Sequence, residues 1–147
     1  MFKNLLNLLN KDTVVEKTDV QATLASLFVR AARIDNDYSE IEKTQIEKLI
    51  LKKFLVTSAK AREIRLAGEE LESNILDTVQ ITREIKNEIP FENRKALAED
   101  LWSIVLADEK RTDDENSFMR TCVKLIGVND VDSANARKSV ITRLKNN

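Results

Sequence analysis

The fold is decided by residues 24–50, which read LASLFVRAARIDNDYSEIEKTQIEKLI. Apolar side chains recur in the first half at the spacing of one helix face: Leu24, Leu27, Phe28 and Ala31. Ser39 then starts a capping box, because its hydroxyl accepts from the backbone of Glu42 while the Glu42 carboxylate reaches back to residue 39. The stretch therefore predicts two helices joined by a short loop that contains Asp35 and Asp37.

The same pattern occurs again 73 residues later, where residues 97–123 read LAEDLWSIVLADEKRTDDENSFMRTCV. This shift places Asp35 on Asp108 and Glu42 on Glu115, and it places Ser39 on another hydroxyl residue, Thr112. The apolar positions coincide as well: Leu24 with Leu97, Phe28 with Leu101, Ala31 with Ile104 and Ile46 with Met119. We therefore predict an internal duplication of one helix–loop–helix unit, with the two copies packed together.

Composition favours an all-α domain. The 147 residues fit one domain, and two glycines and one proline leave little material for the tight turns of a sheet protein. Further capping signals at Thr18, Asp77 and Asn129, and a C-cap glycine at Gly127, indicate additional helices. We predict a compact bundle of about seven helices over residues 18–147, preceded by an amphipathic segment over residues 1–17.

Two helices of this bundle carry more specific predictions. Pro90 is expected to be the first residue of the helix that contains Leu97 and Leu101. The last helix is expected to face the core with five apolar residues: Val131, Ala134, Val140, Ile141 and Leu144.

The N-terminal segment has an apolar stripe of its own, formed by Phe2, Leu5, Leu6 and Leu9 and flanked by lysines. Such a stripe packs on its own domain, contacts a partner protein, or docks peripherally on a membrane surface through residues 1–10. The residues of the segment do not distinguish these three alternatives.

Several classes of function are disfavoured by charge and residue content. The 24 basic and 25 acidic residues nearly cancel, which argues against nucleic acid as a partner. The chain has no histidine, one cysteine and no glycine-rich phosphate loop, so we expect neither an enzyme active site nor a small-molecule substrate. A lone thiol, the lack of a secretory signal and the lack of a long apolar run favour the cytoplasm.

The repeated acids are the candidate functional residues. Asp35 and Asp108 end their helices at the negative end of the macrodipole, where a carboxylate is disfavoured. They are explained either as acceptors for the turn that follows, or as part of a site for a divalent cation such as calcium or magnesium. That site would use Asp35, Glu42, Asp108 and Glu115, with Asp37 as an additional ligand. It is not an EF-hand, because Glu40 and Ile46 stand where glycine and the bidentate glutamate belong.

Three motifs give the chain a resemblance to a known family. They are Ala-x-x-Asp-x-x-Tyr-Ser-x-x-Glu from Ala32, Leu-Trp-x-x-x-x-Ala-Asp-x-x-x-x-x-x-Glu from Leu101, and Leu-Ile-Gly-Val from Leu125. Together they resemble the TerB-like family of tellurite resistance, whose domain also stands at the N-terminus of a DnaJ-like membrane co-chaperone. The resemblance implies a non-enzymatic stress module of about seven helices with divalent-metal binding through the acids. The alternative is an interaction or scaffold module in which the acids serve only as helix and turn caps.

Overall fold

The computed structural model describes residues 20–34, 38–74, 77–107 and 113–146, and regular structure within these ranges is entirely helical. The first helix, α1, covers residues 20–33. The others are α2 (Glu40–Phe54), α3 (Ser58–Asn74), α4 (Thr78–Glu88), α5 (Phe91–Val105), α6 (Asp113–Leu125) and α7 (Asp130–Lys145). The predicted all-α fold of about seven helices is confirmed. No helix of the described ranges combines the length and the apolar content that crossing a membrane requires.

The internal duplication is visible in the helix boundaries. Helix α2 starts at Glu40 and α6 at Asp113, which is the same 73-residue shift that the sequence shows. Helix α1 ends at residue 33 and α5 at Val105, which agrees with the 73-residue shift to within one residue. The equivalent apolar residues are buried in both copies: Leu24 and Leu97, Phe28 and Leu101, Ala31 and Ile104, Ile46 and Met119, Ile50 and Val123. The two units therefore share helix boundaries and buried positions as well as a sequence pattern.

The first helix of each unit is the central one. Residues 23–29 of α1 are all buried, and so are residues 101–105 of α5. A helix that is buried on every side must be surrounded by other elements. Helix α5 packs against α2, α6 and α7, and α2 in turn packs against α3. The two acidic loops thus follow the two most deeply buried helices.

Helices α1 and α3 approach each other closely at Gly68. A methyl carbon at this position would lie 2.6 Å from Cβ of Ala25 and 2.8 Å from its carbonyl carbon. Only glycine leaves room for the α1 backbone here. Gly68 therefore permits the close contact between these two helices.

Capping chemistry sets most of the helix ends, as the sequence predicts. Asp77 accepts from Gln80 N at 2.7 Å, and Asn129 accepts from Asp132 N at 2.8 Å. Gly127 has a φ of 85° and ends α6 in a Schellman motif. In that motif the N–H of Val128 donates to the Val123 carbonyl at 2.9 Å. Helix α2 ends in the same left-handed conformation, but with a leucine, Leu55, at a φ of 54°.

Two details of the sequence-based description are wrong. Pro90 is the N-cap of α5, with a ψ of 151°, so the helix begins one residue later at Phe91. In α7 the buried residues are Ser133, Ala136 and Val140, whereas Val131 is 69% exposed and Leu144 is 50% exposed. Ala134 is exposed too. The close contact between α5 and α7 selects small side chains on the inner face, and apolar periodicity alone does not show this.

Candidate functional site

Glu42 is held in place by a complete capping box at the start of α2. The N–H of Ser39 donates to Oε1 of Glu42 at 3.0 Å, and the N–H of Glu42 donates to Oγ of Ser39 at 3.2 Å. These reciprocal bonds are the ones that the sequence predicts. The Glu42 side chain is 0% exposed, which a capping role does not require. This carboxylate therefore lies inside the domain in a fixed orientation.

Glu115 has the equivalent position in the second unit. It is the third residue of α6, as Glu42 is the third residue of α2, and it is 1% exposed. Transfer of an ionised carboxylate out of water is strongly unfavourable unless hydrogen bonds or an opposite charge compensate. Both units therefore contain a buried acid at the position where the sequence places a candidate metal ligand.

The other candidate residues lie outside the described parts of the chain. They are the candidate ligands Asp35, Asp37 and Asp108, and the apolar N-terminal residues Phe2, Leu5, Leu6 and Leu9. Within the described ranges, acidic and cysteine side chains form no group of three or more that could hold a metal ion. The helices of the two described candidates, α2 and α6, share α5 as a neighbour.

A network of ion pairs fixes the segment that precedes Glu42. Tyr38 O–H donates to Oε2 of Glu69 at 2.7 Å, and Arg65 pairs with Oε2 of Glu47 at 2.7 Å and also with Glu69. Burial, and after it the hydrogen bond to Glu69, raises the pKa of Tyr38 well above its ordinary value, so the phenol stays protonated. The Tyr38 ring lies 5.1 Å from the Arg33 guanidinium and 5.1 Å from the Lys43 ammonium. The chain is therefore anchored on both sides of residues 35–37.

Arg65 is the structural residue that the sequence interpretation missed. It is 7% exposed although it carries a charge. A signal was present, because Ala61, Ile64, Arg65 and Gly68 follow the spacing of a single buried helix face. A charged residue on such a face requires partners, and the acids of α2 and α3 supply them.

A second pair of cations holds the end of α1 on α3. Arg30 pairs with Glu72 at 3.3 Å and Arg33 pairs with Glu72 at 2.7 Å. Both arginines come shortly before Asp35 in the chain. The end of α1 that leads into the first acidic loop is thus tied to α3 through Glu72.

Trp102 and Cys122 are core residues. Trp102 is 8% exposed, and its indole N–H donates to Oγ of Ser133 at 3.1 Å, which joins α5 to α7. Cys122 is 0% exposed, and burial raises the pKa of its thiol to about 12. A thiol in this state is not a nucleophile at neutral pH.

These features define a class of protein: an all-α domain with a duplicated helix–loop–helix unit and a buried glutamate in each copy. The family model described as "Tellurite resistance protein TerB" matches residues 21–138, and the chain belongs to that family. The match includes both units and the greater part of α7. Neither the comparison with curated proteins nor the comparison with solved structures gives a match.

Proposed function

We propose that this protein is a non-catalytic module of the tellurite and stress response that binds a divalent cation, calcium or magnesium. Its proposed ligands are Asp35, Asp37, Glu42, Asp108 and Glu115. The observation that carries the proposal is the near-complete burial of Glu42 and Glu115 at the same position of the two units. Carboxylate oxygens are the ligands that calcium and magnesium prefer, so the donor set fits a hard cation.

The surrounding residues give Glu42 the properties of a preorganised ligand. The hydrogen bond from Ser39 N–H fixes the orientation of its carboxylate, in the way that neighbouring groups orient metal ligands in proteins. A bound cation would supply the positive charge that allows several carboxylates to stay ionised together. The pairing of Tyr38 with Glu69 would hold the first acidic loop in position from its other end.

Thermal unfolding with calcium, magnesium, manganese or zinc tests the proposal. A metal at about 100 times its Kd stabilises the folded state by about 2.7 kcal/mol, which raises the Tm of a domain of this size by roughly 5–10 °C. Glu42→Gln and Glu115→Gln should each abolish the increase. Glutamine also serves in a capping box, so these variants remove the charge and leave the cap geometry in place.

Glu40→Gln is the matched control for these variants. Glu40 lies in the same first turn of α2, but its side chain is 88% exposed. This variant should respond to metal as the wild type does. A folded wild-type protein whose Tm is unchanged by all four metals would refute the metal proposal.

The second candidate function is an interaction or scaffold module in which the acids act only as caps. The complete capping box of Ser39 and Glu42 favours it, because hydrogen bonding alone then explains why a glutamate is present. In this case metals leave the Tm unchanged, Glu42→Gln has little effect, and Glu42→Ala lowers stability by about 1 kcal/mol.

The partner-binding surface of such a module would be the N-terminal stripe of Phe2, Leu5, Leu6 and Leu9. Leu5→Asp and Leu6→Asp should then remove a protein partner in a pull-down, and an unchanged set of partners would count against the stripe. Deletion of residues 1–10 tests membrane contact separately. Liposome flotation that is unaffected by this deletion would exclude the membrane alternative.

A further inference from the structure

A cavity of about 400 Å³ lies between α5, α6 and α7. Trp102 and Val123 form apolar parts of its wall, and Arg120, Arg137 and Asn116 supply hydrogen-bond donors. Its volume is within the range that small-molecule sites occupy in proteins. An apolar wall combined with a few convergent donors is the usual composition of such sites.

Among the residues that line the cavity, positive charge exceeds negative charge. Among the described residues, neither Arg120 nor Arg137 forms an ion pair with a carboxylate. Asp130 is the acidic residue of the lining, so the two arginines leave a net positive charge. A ligand that enters the cavity would therefore be favoured if it is an anion.

Arg137 is positioned to meet such an anion. Its guanidinium carbon lies 5.7 Å from the centroid of the Trp102 ring, which holds the side chain against the cavity wall. Its Nε is shielded from water, and no hydrogen-bond acceptor of the described residues reaches it. Because this nitrogen is shielded, a ligand in the cavity would have to be met by the terminal nitrogens of the guanidinium group.

We propose that this cavity binds a small organic anion whose carboxylate is held by Arg120 and Arg137 and whose apolar ring packs against Trp102 and Val123. A planar carboxylate matches the fork of the guanidinium group, and two arginines provide charge-assisted hydrogen bonds to it. The apolar wall favours a ligand with a hydrophobic body over an inorganic anion. This site uses none of the proposed metal ligands, so either proposal can fail without the other.

Fluorescence titration tests the proposal directly, because Trp102 is the only tryptophan of the chain. The probes are benzoate, the neutral analogue benzamide, and inorganic phosphate. Benzoate should change the Trp102 emission saturably, and benzamide should bind about tenfold more weakly or worse, since it lacks the charge. Phosphate should also bind more weakly than benzoate, because it has no apolar ring.

Variants then assign the binding to the two arginines. Arg120→Gln and Arg137→Gln should each weaken benzoate binding by about tenfold or more. Arg62→Gln is the matched control, since Arg62 is an exposed arginine of α3 and does not line this cavity. Arg137→Gln also alters the environment of Trp102 in the free protein. The affinity of this variant for benzoate is therefore measured in parallel by NMR chemical-shift titration.

Three results would overturn the proposal. The first is benzoate and benzamide binding with equal affinity. The second is benzoate binding that both arginine substitutions leave unchanged in folded protein. The third is the lack of saturable binding of benzoate to the wild-type protein at concentrations up to about 10 mM. A fragment-sized ligand of such a site should have a Kd below this concentration.

Discussion

Gly68 lies where α3 crosses α1, and its replacement by alanine places a methyl group against the neighbouring helix. That methyl carbon would lie 2.6 Å from Cβ of Ala25, 2.8 Å from the Ala25 carbonyl carbon and 3.0 Å from the Ser26 nitrogen. Two of these three atoms belong to the α1 backbone, which cannot move aside by rotating a side chain. Helices α1 and α3 would therefore have to separate at this point.

The size of the effect follows from two opposing contributions. Glycine in a helix interior is less favourable than alanine by about 1 kcal/mol, so the substitution gains that amount in helix propensity. Overpacking of a well-packed interior destabilises by about 1–3 kcal/mol, and backbone contacts at these distances place Gly68→Ala near the upper limit. The net loss is expected to be about 2 kcal/mol, which lowers the Tm by roughly 4–8 °C.

Urea unfolding followed by circular dichroism measures this loss. Ala67→Gly serves as the matched control, because Ala67 is the exposed neighbour on the same helix and reports the propensity contribution without the clash. Gly68→Ala should cost less in an Ala25→Gly background than in the wild type, since Ala25→Gly removes the 2.6 Å contact and leaves the backbone contacts. A Gly68→Ala variant as stable as the wild type, or more stable, would refute the close packing of α1 on α3.

Three further predictions concern single residues of the described core and its surface. Leu55 is 88% exposed and has a left-handed φ of 54°, a backbone conformation that is unfavourable for a residue with a Cβ atom. Leu55→Gly should therefore raise the free energy of unfolding in urea by about 1 kcal/mol. Leu55→Ala keeps the Cβ atom and should gain little. Burial raises the pKa of Asp100 above its ordinary 3.8, despite an ion pair with Lys53 at 2.8 Å. The folded state therefore binds the Asp100 proton more tightly than the unfolded state does. The free energy of unfolding should fall as the pH rises from about 4 through the raised pKa. Asp100→Asn has no such proton, so this part of the pH dependence should be absent in that variant. Cys122 should react with a thiol reagent only as the domain unfolds, so its labelling rate should rise with urea; rapid labelling of the native protein would contradict its burial.

Local chemistry explains which parts of the fold could be predicted from the sequence. The caps at Ser39, Asp77 and Asn129 involve residues only three positions apart, so spacing alone identifies them. The Gly127 C-cap is local in the same sense. The duplication was also readable, because both copies use the same order of apolar, acidic and hydroxyl residues.

The error in α7, and the features that the sequence does not reveal, depend on distant parts of the chain. The inner face of α7 consists of Ser133, Ala136 and Val140 because α5 lies close against it, and nothing within residues 130–145 reveals this. The role of Gly68 depends in the same way on Ala25, which is far away in the sequence. The cavity beside Trp102 was not predicted either, since three separate helices contribute its walls.

The buried glutamates connect the fold with the proposed function. A capping box needs only the hydrogen bonds of Glu42, and an exposed glutamate would provide them equally well. Burial adds an electrostatic cost, and the two units incur it at the same position, with side chains 0% and 1% exposed. If a cation normally offsets this cost, replacing the charge should stabilise the metal-free protein. Glu42→Gln and Glu115→Gln should then have a higher Tm than the wild type in a chelator and a lower one at saturating metal. A purely structural glutamate predicts no such crossing, so the relative order of the two Tm values under the two conditions separates a ligand from a cap.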